Sequence, residues 1–209
     1  MNNKTESGMQ IQFIDYHQQQ GRVLLHIARA AIAHALKVTV SADESVDLSA
    51  QWLQQAGATF ITLTQDERLR GCVGSLQAYQ PLIENVRNNA VSAALHDTRF
   101  LPVTIDELES ISIEVSLLSA LQPIWFASEA EALRQLRPGM DGIMLEYGIY
   151  RSTFLPQVWD SLSQPREFLA QLKVKAGLYA DFWDDNLKLS RYTVQKWCEA
   201  DFIKEQNHG

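Results

Sequence analysis

Cys72 stands between two glycines in the stretch "RLRGCVGSL", residues 68–76, shortly after Arg68 and Arg70. In a β-strand alternate side chains share a face, so this spacing puts Arg70, Cys72 and Gly74 on one side and Leu69, Gly71 and Val73 on the other. The thiolate is the nucleophilic form of cysteine, and a nearby cation favours it. One chemistry on offer is therefore a Cys72 nucleophile assisted by Arg70. The other reading is packing. Free cysteines are among the most buried residue types, and Gly71 and Gly74 admit a neighbouring backbone as readily as a ligand. The spacing leaves both open.

Other chemistries find less support. The chain has no GxGxxG and no phosphate-binding P-loop, since "GCVG" lacks the lysine and the spacing. Without CxxxCxxC it is not itself a radical SAM component. The five histidines (His17, His26, His34, His96 and His208) form no HxH or HExxH, so no dedicated metal site is expected. Which cofactor, if any, the protein uses is left open by the sequence. His34, at the margin of an apolar helix face, reads as a hydrogen-bonded structural residue. His96 is the one histidine placed to act as a base for Cys72, at the end of the helix that follows the motif. Cys72 and Cys198 have neither paired nor metal-type spacing; with no signal peptide in view, they read as free thiols of a cytoplasmic protein.

Composition bounds the setting. The 209 residues are 46% hydrophobic and 21% charged, which fits one globular domain or two packed lobes. A single domain is expected over 15–200, with polar tails at 1–14 and 201–209. No apolar run approaches the roughly 20 residues that cross a bilayer, so no membrane partner is expected. A net charge of −7 with scattered basic residues weighs against nucleic acid, whose phosphates attract clustered lysine and arginine.

The elements that must position Cys72 follow from periodicity. Residues 15–38 carry Val23, Leu24, Ile27, Ala28, Ala31, Ile32, Ala35 and Leu36 at spacings of three and four, a helix apolar over most of its surface. A polar loop, Ser41–Ser49, and a helical turn ending at Gly57 come next. "ATFITLT" (58–64) and Leu69–Leu76, separated by "QDER", read as an antiparallel hairpin. Pro81 opens a helix to about His96 with an alanine-rich face. Thr104 and Glu107 have capping-box spacing. "ISIEVSLLS" (111–119) alternates, with Ile111, Ile113, Val115 and Leu117 inward. Glu129–Leu136 is a short helix, and "GIMLEYGIYRSTFLP" a hairpin turning near Gly148. Arg166–Ala176 is a helix capped by Gly177, and Leu187–Glu199 a last strand. Hairpins without regular crossover helices predict an α+β fold with a mainly antiparallel sheet flanked by helices.

"LRGCVG" closely resembles the LRGCIG hallmark of the AMMECR domain family, called AmmeMemoRadiSam system protein A in prokaryotes. "FITL", "PLIENVRNNAVSAALHDTRFLPVTIDELESISIEVSLLS", "DGIMLEYG", "TFLPQVW" and "FLAQLKVKAGL" resemble that family's segments in its order, over residues 16–200. Val73 in place of isoleucine and Ile149-Tyr150 in a usually glycine-rich turn are small departures. The resemblance implies a larger and a smaller lobe with a cleft lined by the motif. It also implies association with a Memo-like protein and a radical SAM protein. It names a system and not a reaction, so an enzyme or enzyme subunit and a non-catalytic module binding a protein or small metabolite both stand.

Carried over by residue, the resemblance marks Leu69, Arg70, Gly71, Cys72 and Gly74, then Asn89, Asp97, Arg99, Phe100, Glu114 and Gln157. Cys72 is the candidate nucleophile and Arg70 its thiolate stabiliser or anion clamp; Gly71, Gly74, Asn89, Asp97, Arg99, Glu114 and Gln157 are binding candidates. Each of the polar binding candidates also has a structural reading. Asp97 and Arg99 pair at a helix end, Asn89 satisfies a buried carbonyl, Glu114 is a solvated strand position, and Gln157 bonds loop backbone.

Overall fold

The apolar helix expected from residue 15 is the later part of a longer one, α1 (Asn3–Ala35). Residues 3–14, expected as a tail, are helical: they hold no proline, and Met9, Ile11, Phe13 and Ile14 continue the apolar content. The helix ends before 38 because Lys37 turns left-handed, with φ 61°. The computed structural model describes residues 3–39 and 46–206, with side chains from Tyr16 to Phe202. The expected Ser41–Ser49 loop falls outside the described residues as far as position 45.

Next come α2 (Gln51–Gln54), β1 (Ala58–Gln65) and β2 (Arg68–Gly74). Asp66 and Glu67 between the strands have φ of 48° and 62°. Two consecutive left-handed residues make the type I′ turn that matches strand twist, so β1 and β2 pair antiparallel as the sequence predicts. Then follow α3 (Leu82–Leu95) and β3 (Ile111–Leu118). Ile111, Ile113 and Val115 are buried as expected, while Leu117 is half-buried.

β4 (Gln122–Ile124), α4 (Glu129–Gln135), β5 (Gly142–Tyr147), β6 (Tyr150–Phe154) and α5 (Pro165–Lys175) lead to β7 (Lys188–Tyr192), β8 (Val194–Cys198) and α6 (Glu199–Gln206). The single strand expected over Leu187–Glu199 is thus two, broken at Thr193, whose N–H donates to the Ser119 hydroxyl. β7 joins one sheet and β8 the other. The expected C-terminal tail starts instead as α6. Among the described residues no helix is long and apolar enough to cross a membrane.

The fold is α+β, with two four-stranded sheets flanked by helices. The chain divides into two units, 1–117 with 196–209, and 118–195. In the first, with strand order β2-β1-β3-β8, α1 and α3 cover one sheet face. Leu24, Ala28 and Ile32 of α1 and Val86 and Ala90 of α3 meet Ile61, Leu63, Ile113 and Val115, all fully buried. Removing each such large aliphatic side chain from water contributes roughly 1.5–3 kcal/mol.

In the second unit, β4-β7-β5-β6, Ile143, Leu145 and Leu189 pack on Phe168, Leu169 and Leu172 of α5. Trp159 stacks on Phe168 at 3.7 Å. Two buried charges are paired there: Asp141 with Arg137 at 2.6 Å, and Lys173 with Glu129 at 2.6 Å.

One side chain ties the ends of the first unit together. Glu199 accepts from the Arg29 guanidinium through both oxygens at 2.5 Å and from the Ile113 N–H at 2.9 Å. Arg29 also donates to the Leu108 and Ile111 carbonyls. Glu199→Gln removes the charge and leaves a partly buried guanidinium short of its partner. Urea unfolding is expected to show a loss of about 1–3 kcal/mol, whereas a midpoint equal to wild type would show that the contact holds nothing.

Candidate functional site

β2 is an edge strand, hydrogen-bonded to β1 alone. Its register slips: Leu63 lies opposite Gly71, but Thr64 lies opposite Leu69. Arg70 is therefore the extra residue of a β-bulge, and the simple alternation expected for Arg70 and Cys72 breaks at that point. Its guanidinium runs to Glu107, with Nε–Oε1 at 2.8 Å, and donates to the Leu101 carbonyl at 2.8 Å and more weakly to that of Pro102. The Arg70 side chain, 14% exposed, is spent on the segment after α3 and not on the sulfur. Among the described residues no hydrogen bond joins Arg70 to the sulfur it was expected to stabilise, and none shows it free to clamp an anion.

Gly71 explains how α3 lies so near. A Cβ there would collide with the Ala93 carbonyl oxygen, and helix backbone cannot yield to it. At Gly74 a Cβ would enter the Phe60 ring. Both glycines serve close packing within the protein. The helix ends at His96, whose backbone N–H bonds Ser92. Among the described residues no hydrogen bond joins His96 to Cys72.

Asp97 then sits against the strand's open edge. Its Oδ2 accepts the Cys72 N–H at 2.9 Å, while Arg99 donates to the Cys72 carbonyl at 3.0 Å. Asp97 and Arg99 are joined at 2.6 Å. Both backbone groups of Cys72 thus point outward, so Thr62 opposite is a non-hydrogen-bonded partner whose side chain comes close. The Thr62 hydroxyl donates to the Cys72 sulfur at 3.4 Å. Cys72 is half-buried.

Electrostatics follow these contacts. The Arg99 guanidinium, assisted by the Cys72 N–H, holds the Asp97 carboxyl well below the usual carboxylate range, although burial opposes it. Asp97, and to a lesser degree Cys72, in turn raise the pKa of Arg99. Arg70 and the Thr104 N–H pull Glu107 down to about 2. Arg99 is thus the cation that binds the Cys72 backbone carbonyl.

Asn89, buried, donates to the Thr59 carbonyl at 3.0 Å and to Asn85 at 3.0 Å, which is its structural reading. Asn85, not singled out from sequence, accepts from the Thr59 N–H and hydroxyl and donates to Ser75. The i, i+4 spacing of two amides on an alanine face was the available signal. Glu114, on the sheet face turned away from the helices, lies 3.5 Å from Lys196. That face carries Thr62, Cys72, Ser112 and Cys198, the last 3.6 Å from the Ser112 hydroxyl. Cys72 and Cys198 sit on the two outer strands, roughly 14 Å apart at three strand spacings, too far for a disulfide. Gln157 lies in the second unit, exposed on the turn Pro156–Asp160. Among the described residues no three histidine, cysteine or acidic side chains are grouped to hold a metal.

The profile of the AMMECR1 family matches residues 25–197. Protein MJ0810 of Methanocaldococcus jannaschii is 36% identical over 194 residues, covering 88% of this chain and 92% of that protein. A protein of Methanothermobacter thermautotrophicus is 37% identical over 188 residues, covering 87% and 95%. The crystal structure of the uncharacterized protein PH0010 from Pyrococcus horikoshii superposes with a TM-score of 0.71 at 32% identity, over 86% of this chain and 91% of that one.

The depressed carboxyls fix the sign of the acid response. A group whose folded pKa lies below its unfolded value contributes stability above the unfolded value, and loses it as pH falls through the folded one. Stability is expected to decline from about pH 5 towards about pH 2, the window between ordinary and depressed carboxylates. Glu107→Gln should be less stable at neutral pH and show a shallower decline, read by urea midpoints at stepped pH. Parallel pH curves would exclude the Arg70–Glu107 pair as a source. Gly71→Ala should cost about 1–3 kcal/mol by overpacking against α3. An unchanged melt would refute the close approach.

Proposed function

The chain belongs to the AMMECR1 family, and on that premise we propose that it is a binding subunit of a multi-protein system, working with a Memo-like protein and a radical SAM protein in a reducing cytoplasm. The surface it uses is the strand edge and sheet face around Cys72. One observation carries this reading: Asp97 and Arg99 grip both backbone groups of Cys72, so the edge is rigid before any partner arrives. Preorganised surfaces bind with less ordering cost. The charges of the motif are already paired, Arg70 with Glu107 and Arg99 with Asp97, which suits a shaped docking surface more than proton transfer. The system itself is supported by the resemblance in "LRGCVG" and the segments that follow it.

A second reading has its own observation. The Thr62 hydroxyl donates to the sulfur and Arg99 holds the carbonyl of the same residue, an arrangement that supports Cys72 as the nucleophile of an enzyme subunit.

The two readings part in one experiment with the purified Memo-like protein of the same cell. Under the binding reading, Asp97→Ala weakens capture about tenfold or more, a loss of roughly 1.4 kcal/mol, while Cys72→Ala leaves it unchanged. Equal capture by Asp97→Ala and wild type would end that reading. Iodoacetamide labelling, read by peptide mass spectrometry, decides the other. If native Cys72 labels faster than Cys198 below about pH 8 and Arg99→Ala slows it, Cys72 is a nucleophile. If it labels only on unfolding, it is a packing residue.

A further inference from the structure

On the helix layer of the first unit, α1 and α3 leave a groove of about 1120 Å³ between them. We propose that this groove binds a small amphipathic anion: an alkyl or acyl chain bearing a phosphate or carboxylate head. The proposal is independent of the Cys72 face, because the groove lies among helices on the other side of the sheet.

The groove exists because of residue size. Ala30, Ala31 and Ala35 line its α1 wall and Val91 its α3 wall, with Ile27 between and Leu48 at one end. Larger side chains at the three alanines would fill it. Leu48, 39% exposed, adds an apolar surface that no core residue among the described residues covers. The volume is near the upper bound of small-molecule sites, about 300–1,000 Å³, which are largely apolar with a few placed polar groups.

The polar groups here are mostly basic, beside Thr39 and Asn88. His26, His34 and Lys37 line the α1 side, and Arg87 the α3 side. Among the described residues of the lining Glu84 is the one acid, and it pairs with Arg87 at 2.8 Å. Lys37 and two imidazoles thus stand over an apolar floor in a chain whose net charge is −7. An apolar groove that carries Lys37 and two imidazoles complements a ligand that is apolar along its body and anionic at its head. Phosphate and carboxylate heads share that chemistry, and Lys37 takes either as a point charge.

Calorimetry on the full chain tests this with octyl phosphate, octanoate, 1-octanol and inorganic phosphate. Octyl phosphate or octanoate should bind, with the preferred head identifying the source, and octanol and inorganic phosphate should bind about tenfold more weakly or worse. His34→Ala combined with Lys37→Asn should weaken the preferred anion about tenfold. Both positions are exposed, and asparagine tolerates the left-handed backbone at 37, so the fold should persist. Ala30→Phe should abolish binding by filling the groove; should it fail to fold, the double variant decides. No binding of either anion, or binding indifferent to the double variant with an unchanged melt, would overturn the proposal.

Discussion

The fit of Gly71 beneath the Ala93 carbonyl is the contact on which the arrangement around Cys72 depends. A helix lying on a sheet is normally held off by the side chains between them, with interaxial spacings of about 8–10 Å between helices and about 10 Å between sheets. Here the strand offers no Cβ, and the helix offers Ala90, Ala93 and Ala94, all buried. The backbones approach, and the turn after α3 is delivered to the free edge of β2. Asp97 and Arg99 can reach Cys72 only because their helix sits that low. Small residues set the distance, and the distance sets the chemistry available.

That delivery also resolves an edge-strand problem. The unpaired N–H and C=O groups of an outer strand invite pairing with another chain. At Cys72 the carboxylate and guanidinium of one short segment take the place of a neighbouring strand, satisfying donor and acceptor together. Two residues earlier the bulge turns Arg70 aside, where it fastens the carbonyls of Leu101 and Pro102. Asp97 and Glu107 are each held ionised by the arginine they face, so the segment between them is pinned at both ends. Charge pairs of this kind contribute modest stability and considerable specificity of position.

Much of this was legible in residue order. Alternation in "ISIEVSLLS" buries Ile111, Ile113 and Val115, and the polar break at "QDER" makes the hairpin it suggests. The pairing of Asp97 with Arg99 and the structural role of Asn89 also follow from spacing. The bulge at Arg70 does not. Its cause is the register against β1, a relation between strands that neither strand states alone. The break at Thr193 is hidden for the same reason, since the strand-forming residues Tyr192, Thr193 and Val194 run through it while the chain passes from one sheet to the other. Arg99 on the Cys72 carbonyl is hidden too, since it depends on where the turn after α3 meets the strand.

The grip on residue 72 has a further consequence for reading the cysteine. Asp97 and Arg99 hold its backbone, and backbone groups are common to every residue except proline. The clamp therefore places no demand on the side chain. What the sulfur itself meets is the Thr62 hydroxyl on one side and the open sheet face on the other. Scaffold and side chain are separable here, so the edge can be rigid whatever stands at 72. Any property that requires cysteine at this point must reside in the sulfur and the Thr62 hydroxyl that meets it.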